Sequence, residues 1–265
     1  MPFHQPDRIR YLTFESFDSH RVRHAVFTRN GGESRGYLSS LNVGLTVGDD
    51  PEIVARNRLL AFQALNRDTA TLSDSWLVHQ DNVIVYDSPK SPQQTTPPKA
   101  DIILTDNPTV SLFMRYADCV PILLYDPVKK AIGLAHAGWQ GTVLKVAKTA
   151  VEAMHARYAT NPADLLAAVG PSIGPERYEV GPEVVDQVRS AFGADAPSLL
   201  PTFGESTHFD LWAANQLTLH QSGVRQVEVS QICTASNTQD WFSHRAEQGR
   251  TGRFGVLLAL EEMPL

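Results

Sequence analysis

Three apolar segments of the chain each contain a side chain that binds transition metals. His79 lies in WLVHQDNV, Cys119 in RYADCVPILLYD and His136 in IGLAHAGWQG. One sulfur and two imidazole nitrogens form a donor set that zinc accepts, and three protein ligands leave a fourth tetrahedral position for water or substrate. An open position is typical of catalytic zinc, which activates water near neutral pH. The segments therefore predict a catalytic metal site of His79, Cys119 and His136, for zinc or for copper.

The same residues also have interpretations without a metal. The three side chains are far apart in the sequence, unlike the close pairs of zinc fingers, so spacing alone does not select a shared site. A buried cysteine often packs as a small apolar residue, and a histidine near a strand end is usually only hydrogen-bonded. A further interpretation makes Cys119 a thiolate nucleophile, with His136 or His79 as its base.

Asp118 stands directly before Cys119 and interrupts an otherwise apolar region. Adjacent residues of a strand face opposite sides, so Asp118 and Cys119 share a pocket only if a turn or bulge lies there. One interpretation makes Asp118 a general acid or base, or a partner of a metal-binding histidine. The other makes it an acceptor for backbone donors at the start of the strand. Asp118 and Cys119 are the candidate catalytic residues.

Two polar loops are suited to an anionic or ribosyl ligand. The first is TRNGGESRGYLSSLN, residues 28–42, and the second is FSHRAEQGRTGR, residues 242–253. Glycines in the first loop let backbone N–H groups approach an anion closely. Neither loop is a P-loop, and no G-x-G-x-x-G follows a strand. Arg29, Asn42 and Arg245 are therefore the candidate substrate-binding residues, unless the loops are solvated and their arginines pair with local carboxylates.

The composition argues against several classes of protein. The 265 residues are 42% hydrophobic and 20% charged, which suits a globular protein with an ample core. A formal net charge of −6 gives no basic excess for binding nucleic acid. No apolar run approaches the roughly 20 residues of a membrane span, and MPFHQPDRIRYL at the N-terminus lacks the order of a signal peptide. With only two cysteines, Cys119 and Cys233, we expect the protein in a reducing cytoplasm. The sequence leaves a single disulfide between the two as an alternative.

Short strands and a few helices are interspersed along the chain, which indicates a mixed α/β fold. Strands are predicted at Val22–Phe27, Trp76–His79, Val83–Asp87, Asp101–Thr105, Val110–Met114, Val120–Asp126, Ala131–His136, Leu165–Gly170, Val227–Ser230 and Phe254–Leu260. Helices are predicted at residues 50–65, 142–158, 181–192 and 210–223. The tract Ser88–Lys99, rich in Pro, Gln and Thr, is predicted to link two strands of one domain.

Several motifs occur in order over nearly the whole chain and together resemble one family. They are FTRNGGES, SLNVGLTVGDDP, VHQDNV, ADCVPILLYDP, AHAGWQG, VGPSIGPERYEVGPEV and FSHRAEQGRTGR. From about Arg21 to Leu260 the chain is similar to the laccase-domain family, first described as multicopper polyphenol oxidases and later as purine nucleoside phosphorylases. The resemblance implies a single mixed α/β domain over residues 1–265, with mixed sheets flanked by helices. It also implies a cysteine-hydrolase type of fold, shared with the catalytic domain of cytotoxic necrotizing factor.

The resemblance also implies a metal site and an activity. His79, Cys119 and His136 stand at the positions of the family's metal ligands. Members are credited with phosphorolysis of adenosine, inosine and methylthioadenosine, and with deamination of adenosine. We therefore expect a zinc-dependent purine nucleoside enzyme whose partners are a small nucleoside and phosphate, not nucleic acid or a membrane. Its expected state is a monomer or a homodimer.

Three other functions are weighed against this one. A copper polyphenol oxidase needs a histidine-rich cluster, and the nine histidines of this chain include no His-x-His pair. A cysteine hydrolase would use Cys119 as nucleophile on a cell-wall precursor. A binding module without activity would not need Cys119 at all, which makes it the least favoured.

Three positions depart from the family's usual motifs. Gln140 replaces the arginine of HAGWRG, HQD replaces HG after the first ligand, and SHRA contains Arg245 alone where the family has two arginines. The metal ligands are unaffected. Because two cationic positions are lost, we expect phosphate binding to be weaker than in the family at large.

Overall fold

The computed structural model describes residues 1–91 and 96–261. Strands in this part of the chain are β1 (Phe3–His4), β2 (Tyr11–Leu12), β3 (Val22–Phe27), β4 (Leu72–Asp74), β5 (Val83–Val85), β6 (Ile102–Thr105), β7 (Ser111–Tyr116), β8 (Val120–Asp126), β9 (Ala131–Ala137), β10 (Leu166–Val169), β11 (Thr202–Phe203), β12 (Ser206–Thr207), β13 (Gln226–Val229) and β14 (Phe254–Leu260). The α-helices there are α1 (Glu15–Asp18), α2 (Pro51–Ala64), α3 (Trp139–Val143), α4 (Val146–Tyr158), α5 (Pro182–Phe192), α6 (Ala196–Leu199) and α7 (Leu211–Gln221).

Two six-stranded mixed sheets form the centre of the fold. The first has the strand order β1-β2-β3-β14-β7-β4, and the second has the order β13-β10-β8-β9-β6-β5. In the first sheet β14 is antiparallel to β3 and β7, while β4 runs parallel to β7. β7 and β8 are consecutive along the chain but belong to different sheets. Residues 117–119 therefore cross from one sheet to the other.

Side chains of β7 and β8 show how the layers stack. Leu112 of β7 points toward the second sheet, and Leu123 of β8 points toward the first. Both belong to one buried cluster between the sheets. On the outer face of the first sheet, Phe113 packs against Phe62 of α2, with 5.6 Å between the ring centroids. On the outer face of the second sheet, Leu124 belongs to a cluster shared with α4, α5 and α7. Because both faces of each sheet are covered, the central strands are continuous apolar runs.

The predicted mixed α/β fold is confirmed, with mixed sheets flanked by helices. Three predicted strands, Val22–Phe27, Val120–Asp126 and Phe254–Leu260, have the predicted bounds. The helix predicted after Asp50 begins at Pro51, and the Asp50 side chain accepts a hydrogen bond from the Glu52 N–H.

The strand predicted at Trp76–His79 is wrong. Within that segment only Trp76 makes a β-bridge, to Lys99, and the strand of this region is β4. The reason lies in the hydrogen bonds, because the N–H groups of Val78 and Gln80 bind the carboxylate of Asp101 instead of a neighbouring strand. Four residues of the predicted linker Ser88–Lys99, numbers 92–95, lie outside the described residues.

The helix predicted at 142–158 is also corrected. It is two helices, α3 and α4, which Lys145 separates with a φ of 58°. Both helices contact β9 and α7, and α3 also contacts α5. A residue in the left-handed conformation cannot continue a right-handed helix, so the chain turns at Lys145.

Candidate metal centre and its pocket

The crossing between the two sheets places Asp118 and Cys119 beside each other in one pocket. Asp118 has a φ of 84°, in the left-handed region that costs a residue with a side chain about 1–2 kcal/mol. Its carboxylate accepts hydrogen bonds from the Thr234 hydroxyl and the Arg245 backbone N–H, both at 2.7 Å. These contacts stabilise the strained turn, which is the turn that the sequence argument required for a shared pocket.

His79 lies in the loop after β4 and also has a positive φ, 58°. The N–H groups of Val78 and Gln80, on either side of it, donate to Asp101 Oδ2 at 3.0 and 2.9 Å. This clamp holds the backbone in the conformation that directs the imidazole toward the crossing.

His136 lies near the end of β9 and is 3% exposed. Its Nδ1 is 2.9 Å from Asp101 Oδ1, and its backbone N–H donates to the Asp101 carbonyl at 2.8 Å. The fully buried Asp101 therefore orients two of the three predicted ligands. Sequence reasoning missed Asp101. The available signal was an acidic residue at the start of an apolar strand, ADIILT.

The predicted ligands converge. One donor atom each of His79, Cys119 and His136 lies within 4.8 Å of the other two, and no other group of this kind occurs among the described residues. Gly138 leaves the space that they need, because a Cβ there would lie 3.0 Å from Cys119 Sγ and 3.3 Å from His79 Nδ1. A sulfur and two imidazoles around this cleared space fit a transition-metal ion with an open position.

The charges of the centre are coupled. Burial favours a neutral His136, but the negative charge of Cys119 and the hydrogen bond with Asp101 outweigh it and raise the pKa of His136 to about 9. Desolvation and the charge of His136 lower the pKa of His79. Burial also works against ionisation of Asp101, yet its hydrogen bond with His136 lowers the pKa of that carboxyl. Without a metal ion, His136 is thus a cation beside the Asp101 carboxylate.

A cavity of about 120 Å³ opens above the centre. The polar part of its wall includes His79, Asp118, Cys119 and Gln140. The remainder is lined by Gly138, Trp139, Ile173, Tyr178 and Leu211. Apolar and aromatic side chains combined with a few polar groups are typical of a site for a small molecule.

Arg245 lies at the rim of this pocket. Its guanidinium is 4.9 Å from the centre of the Tyr178 ring, and its Nη1 donates to the Glu179 carbonyl at 3.1 Å. The side chain is otherwise exposed. Of the three candidate substrate-binding residues, this is the one that the structure places at the pocket.

Arg29 and Asn42 lie outside the lining of the pocket, and protein groups occupy their polar atoms. The Arg29 guanidinium donates to Glu247 and to the carbonyls of Ser39, Thr238 and Tyr37, and it lies 4.3 Å over the Phe242 ring. Asn42 is fully buried, and its amide binds Gly44, Asp49 and the Arg253 N–H. Both residues connect the loops that frame the site.

Cys233 lies apart from this centre. It is buried, accepts a hydrogen bond from the Gly174 N–H at 3.1 Å, and is free, as is Cys119. The disulfide between Cys119 and Cys233, which the sequence left as an alternative, is therefore not formed. No helix among the described residues has both the length and the apolar character needed to cross a membrane.

Comparison with known proteins gives one consistent result. A family model described as multi-copper polyphenol oxidoreductase laccase matches residues 23–261. The purine nucleoside phosphorylase YlmD of Bacillus subtilis is 35% identical over 89% of this chain and 87% of its own length. The purine nucleoside phosphorylase of Bacteroides thetaiotaomicron is 34% identical over 94% of this chain and 96% of its own. The crystal structure of YlmD from Geobacillus stearothermophilus superposes with a TM-score of 0.91 at 32% identity, covering 98% of this chain and 99% of that one.

Proposed function

The chain belongs to the multi-copper polyphenol oxidoreductase laccase family, and from this premise we propose that it is a zinc-dependent purine nucleoside phosphorylase. Its proposed substrates are adenosine, inosine and methylthioadenosine, with phosphate as the second substrate. The observation that supports this most is the convergence of His79, Cys119 and His136 at a pocket that is also lined by Trp139, Ile173, Tyr178 and Leu211. Two free cysteines suit a cytoplasmic location, which is part of the proposal.

Each group around the pocket has a role in this proposal. His79, Cys119 and His136 hold the ion, which when bound supplies Lewis acidity and activates water. The purine ring packs against Trp139 and Ile173 on the apolar side of the cavity. In phosphorolysis an oxygen of hydrogen phosphate forms a bond to C1′ of the ribose while the bond from C1′ to N9 breaks, and the phosphate proton goes to the leaving base.

Asp118 and Arg245 act on the substrate in this scheme. Asp118 lines the cavity and keeps lone pairs beyond its bonds to Thr234 and the Arg245 N–H, so it can accept a proton from an attacking water in deamination of adenosine. The water oxygen bonds to C6, the bond from C6 to the exocyclic nitrogen breaks, and Asp118 passes the proton to the departing ammonia. The Arg245 guanidinium at the rim binds the ribose. For Arg29 and Asn42 we propose positioning of the surrounding loops, because their polar groups are committed to protein partners.

The proposal is tested by product analysis. Zinc-loaded protein is incubated with adenosine, with and without phosphate, and adenine and inosine are resolved chromatographically. We expect adenine only with phosphate and inosine in either condition, with both lost in Cys119→Ser. Cys233→Ser is the matched control and keeps activity. Absence of both products with fully zinc-loaded protein contradicts the proposal.

A copper oxidase function receives no support from the donor set. The described residues contain one group of three ligands, whereas multicopper oxidation uses several copper ions in relay. Elemental analysis of the purified protein identifies the bound metal, and one zinc per chain is the expected result.

One observation supports a second candidate, a cysteine hydrolase that acts on a cell-wall precursor. A donor atom of His136 lies within 4.8 Å of Cys119 Sγ, and His136 is hydrogen-bonded to Asp101, which is the order of a nucleophile, its base and the group that orients the base. A chelator separates the two functions. Removing the metal should abolish the nucleoside reactions and should leave or increase thiol-dependent hydrolysis.

A further inference from the structure

A group of cations surrounds one buried carboxylate on the outer face of the first sheet. We call Asp74, Arg58, Lys90 and Arg115 the Asp74 cluster. The Asp74 side chain, at the end of β4, is 2% exposed. Lys90 Nζ lies 2.6 Å from its Oδ1, and Arg115 Nη1 and Arg58 Nη1 lie 3.0 and 4.0 Å from its Oδ2. Three positive charges against one negative charge leave an excess of two.

No other carboxylate among the described residues comes within 4.0 Å of these three cations. The cations are themselves largely buried, with side chains 14–16% exposed. Burial, together with the charge of Arg115, lowers the pKa of Arg58 to about 10. Uncompensated charges that are partly removed from water are costly, and a bound anion would reduce that cost.

Arg253 connects the Asp74 cluster to the metal centre. It precedes β14, in which Gly255 pairs with Arg115, and a Cβ at Gly44 would lie 2.8 Å from its Cγ. The Val43 backbone joins Arg253 to the cluster, because its N–H donates to the Arg253 carbonyl at 3.0 Å and its carbonyl accepts from Arg58 Nη2 at 2.9 Å. On the side of the metal centre, the neighbouring Phe254 stacks on Tyr116, whose ring centroid lies 5.4 Å from that of His136.

The Arg253 guanidinium also has N–H groups that are available to a ligand. Its Nη1 binds the carbonyls of Thr251 and Gly252, and within the described part of the chain its Nε and Nη2 have no hydrogen-bond acceptor. Arg115 likewise uses only Nη1 and Nη2, for Asp74 and the Ser75 carbonyl. Planar guanidinium groups with free N–H donors bind tetrahedral oxyanions in two-point contacts.

We propose that Arg253 and the Asp74 cluster form a binding site for inorganic phosphate next to the metal centre. The Asp74 cluster has an excess of two positive charges and Arg253 adds a third, which together attract the doubly negative hydrogen phosphate. The proposal rests on the proposed function, in which phosphate is the second substrate.

Phosphate binding to the protein alone tests the proposal. Calorimetry at constant ionic strength, with chloride as the balancing anion, gives the Kd of phosphate for the wild type and variants. We expect saturable binding that weakens about tenfold or more in Arg253→Gln and in Arg58→Gln, as for loss of a hydrogen bond to a charged group. Arg253→Lys, which keeps the positive charge, should lose less phosphate affinity than Arg253→Gln.

The control is Arg157→Gln, an equal change of charge on α4, where the guanidinium is half-exposed and pairs with Asp87. It should bind phosphate as the wild type does. Circular dichroism checks that each variant is folded. If Arg58→Gln does not fold, the comparison of Arg253→Lys with Arg253→Gln still tests the proposal. Binding that is unchanged in Arg253→Gln, or equal losses in Arg157→Gln, overturns the proposal. No nucleoside is present, so failure of phosphorolysis alone leaves this result intact.

Discussion

At the scale of single residues, one buried carboxylate fixes two of the three metal ligands. Asp101 Oδ2 accepts from the backbone on both sides of His79, and Asp101 Oδ1 bonds to Nδ1 of His136. This second bond leaves the other ring nitrogen of His136 directed at the centre. A carboxylate behind a metal-binding histidine also raises the basicity of that ligand.

Replacement of Asp101 should therefore weaken metal binding without removing a ligand. In Asp101→Asn we expect zinc affinity to fall about 10- to 100-fold, the usual range for such supporting groups. Competition with a chromophoric chelator measures the change. Asp186→Asn, an equal change on the exposed face of α5, is the control and should bind zinc as the wild type does. Equal affinity in Asp101→Asn and wild type would show that the carboxylate does not position the ligands.

At the scale of elements, the crossing from β7 to β8 creates the site, and the segment 242–253 closes one side of it. Glu247 organises that segment, because its carboxylate accepts from the Ser243 N–H, the Thr251 hydroxyl and Arg29. Asp118 then attaches the segment to the crossing through the Arg245 N–H. A polar network of this kind fixes loops that have few apolar contacts of their own.

Helix α4 gives a stability prediction at the same scale. The helix ends at Tyr158 and is capped by Ala159, an exposed residue with a φ of 54° whose N–H donates to the His155 carbonyl at 2.9 Å. Glycine adopts this conformation without strain, so Ala159→Gly should raise the free energy of unfolding by about 0.5–1 kcal/mol. Ala156→Gly, inside the last turn, should lower it by a similar amount. Urea denaturation measures both, and the same sign in the two variants would contradict the argument.

At the scale of the whole molecule, the first sheet contains a histidine that makes stability depend on pH. His24 on β3 is 3% exposed, and its Nε2 accepts a hydrogen bond from the Phe14 N–H at 2.8 Å. Burial lowers the pKa of His24 to about 4, although Asp18 opposes the shift. The ring is therefore neutral in the fold, and protonation of Nε2 would break its bond to the backbone.

The unfolded chain binds a proton at His24 near pH 6.5, whereas the folded chain does so only near pH 4. The stabilisation is complete above pH 6.5 and is lost as the pH falls through this window, by about 3 kcal/mol in total. Urea denaturation of chelator-treated protein between pH 4 and 7 tests this. The difference in the free energy of unfolding between wild type and His24→Gln at each pH gives the contribution of this histidine. Parallel pH dependences of the two proteins would rule it out as the cause.

The fold was predictable in its parts because local sequence determines them. Apolar runs bounded by Asp, Pro and Gly gave the central strands, and Asp50 with Pro51 gave the start of α2. The error at Trp76–His79 had a cause that lies 20 or more residues away, the carboxylate of Asp101. Local propensity contains no information on such a partner.

By itself the sequence determined the donor set of the centre, since residue type decides which side chains can ligate a metal. The sequence also determined the family resemblance, because the motifs that support it occur in order along the chain. Only the tertiary structure decided that His79, Cys119 and His136 meet, because they come from a loop, a crossing between sheets and a strand end. It also decided that Arg29 and Asn42 connect loops, while the Arg245 guanidinium lies over the Tyr178 ring at the edge of the pocket. A polar side chain shows its chemistry in the sequence, but which partners satisfy it depends on distances that exist only after folding.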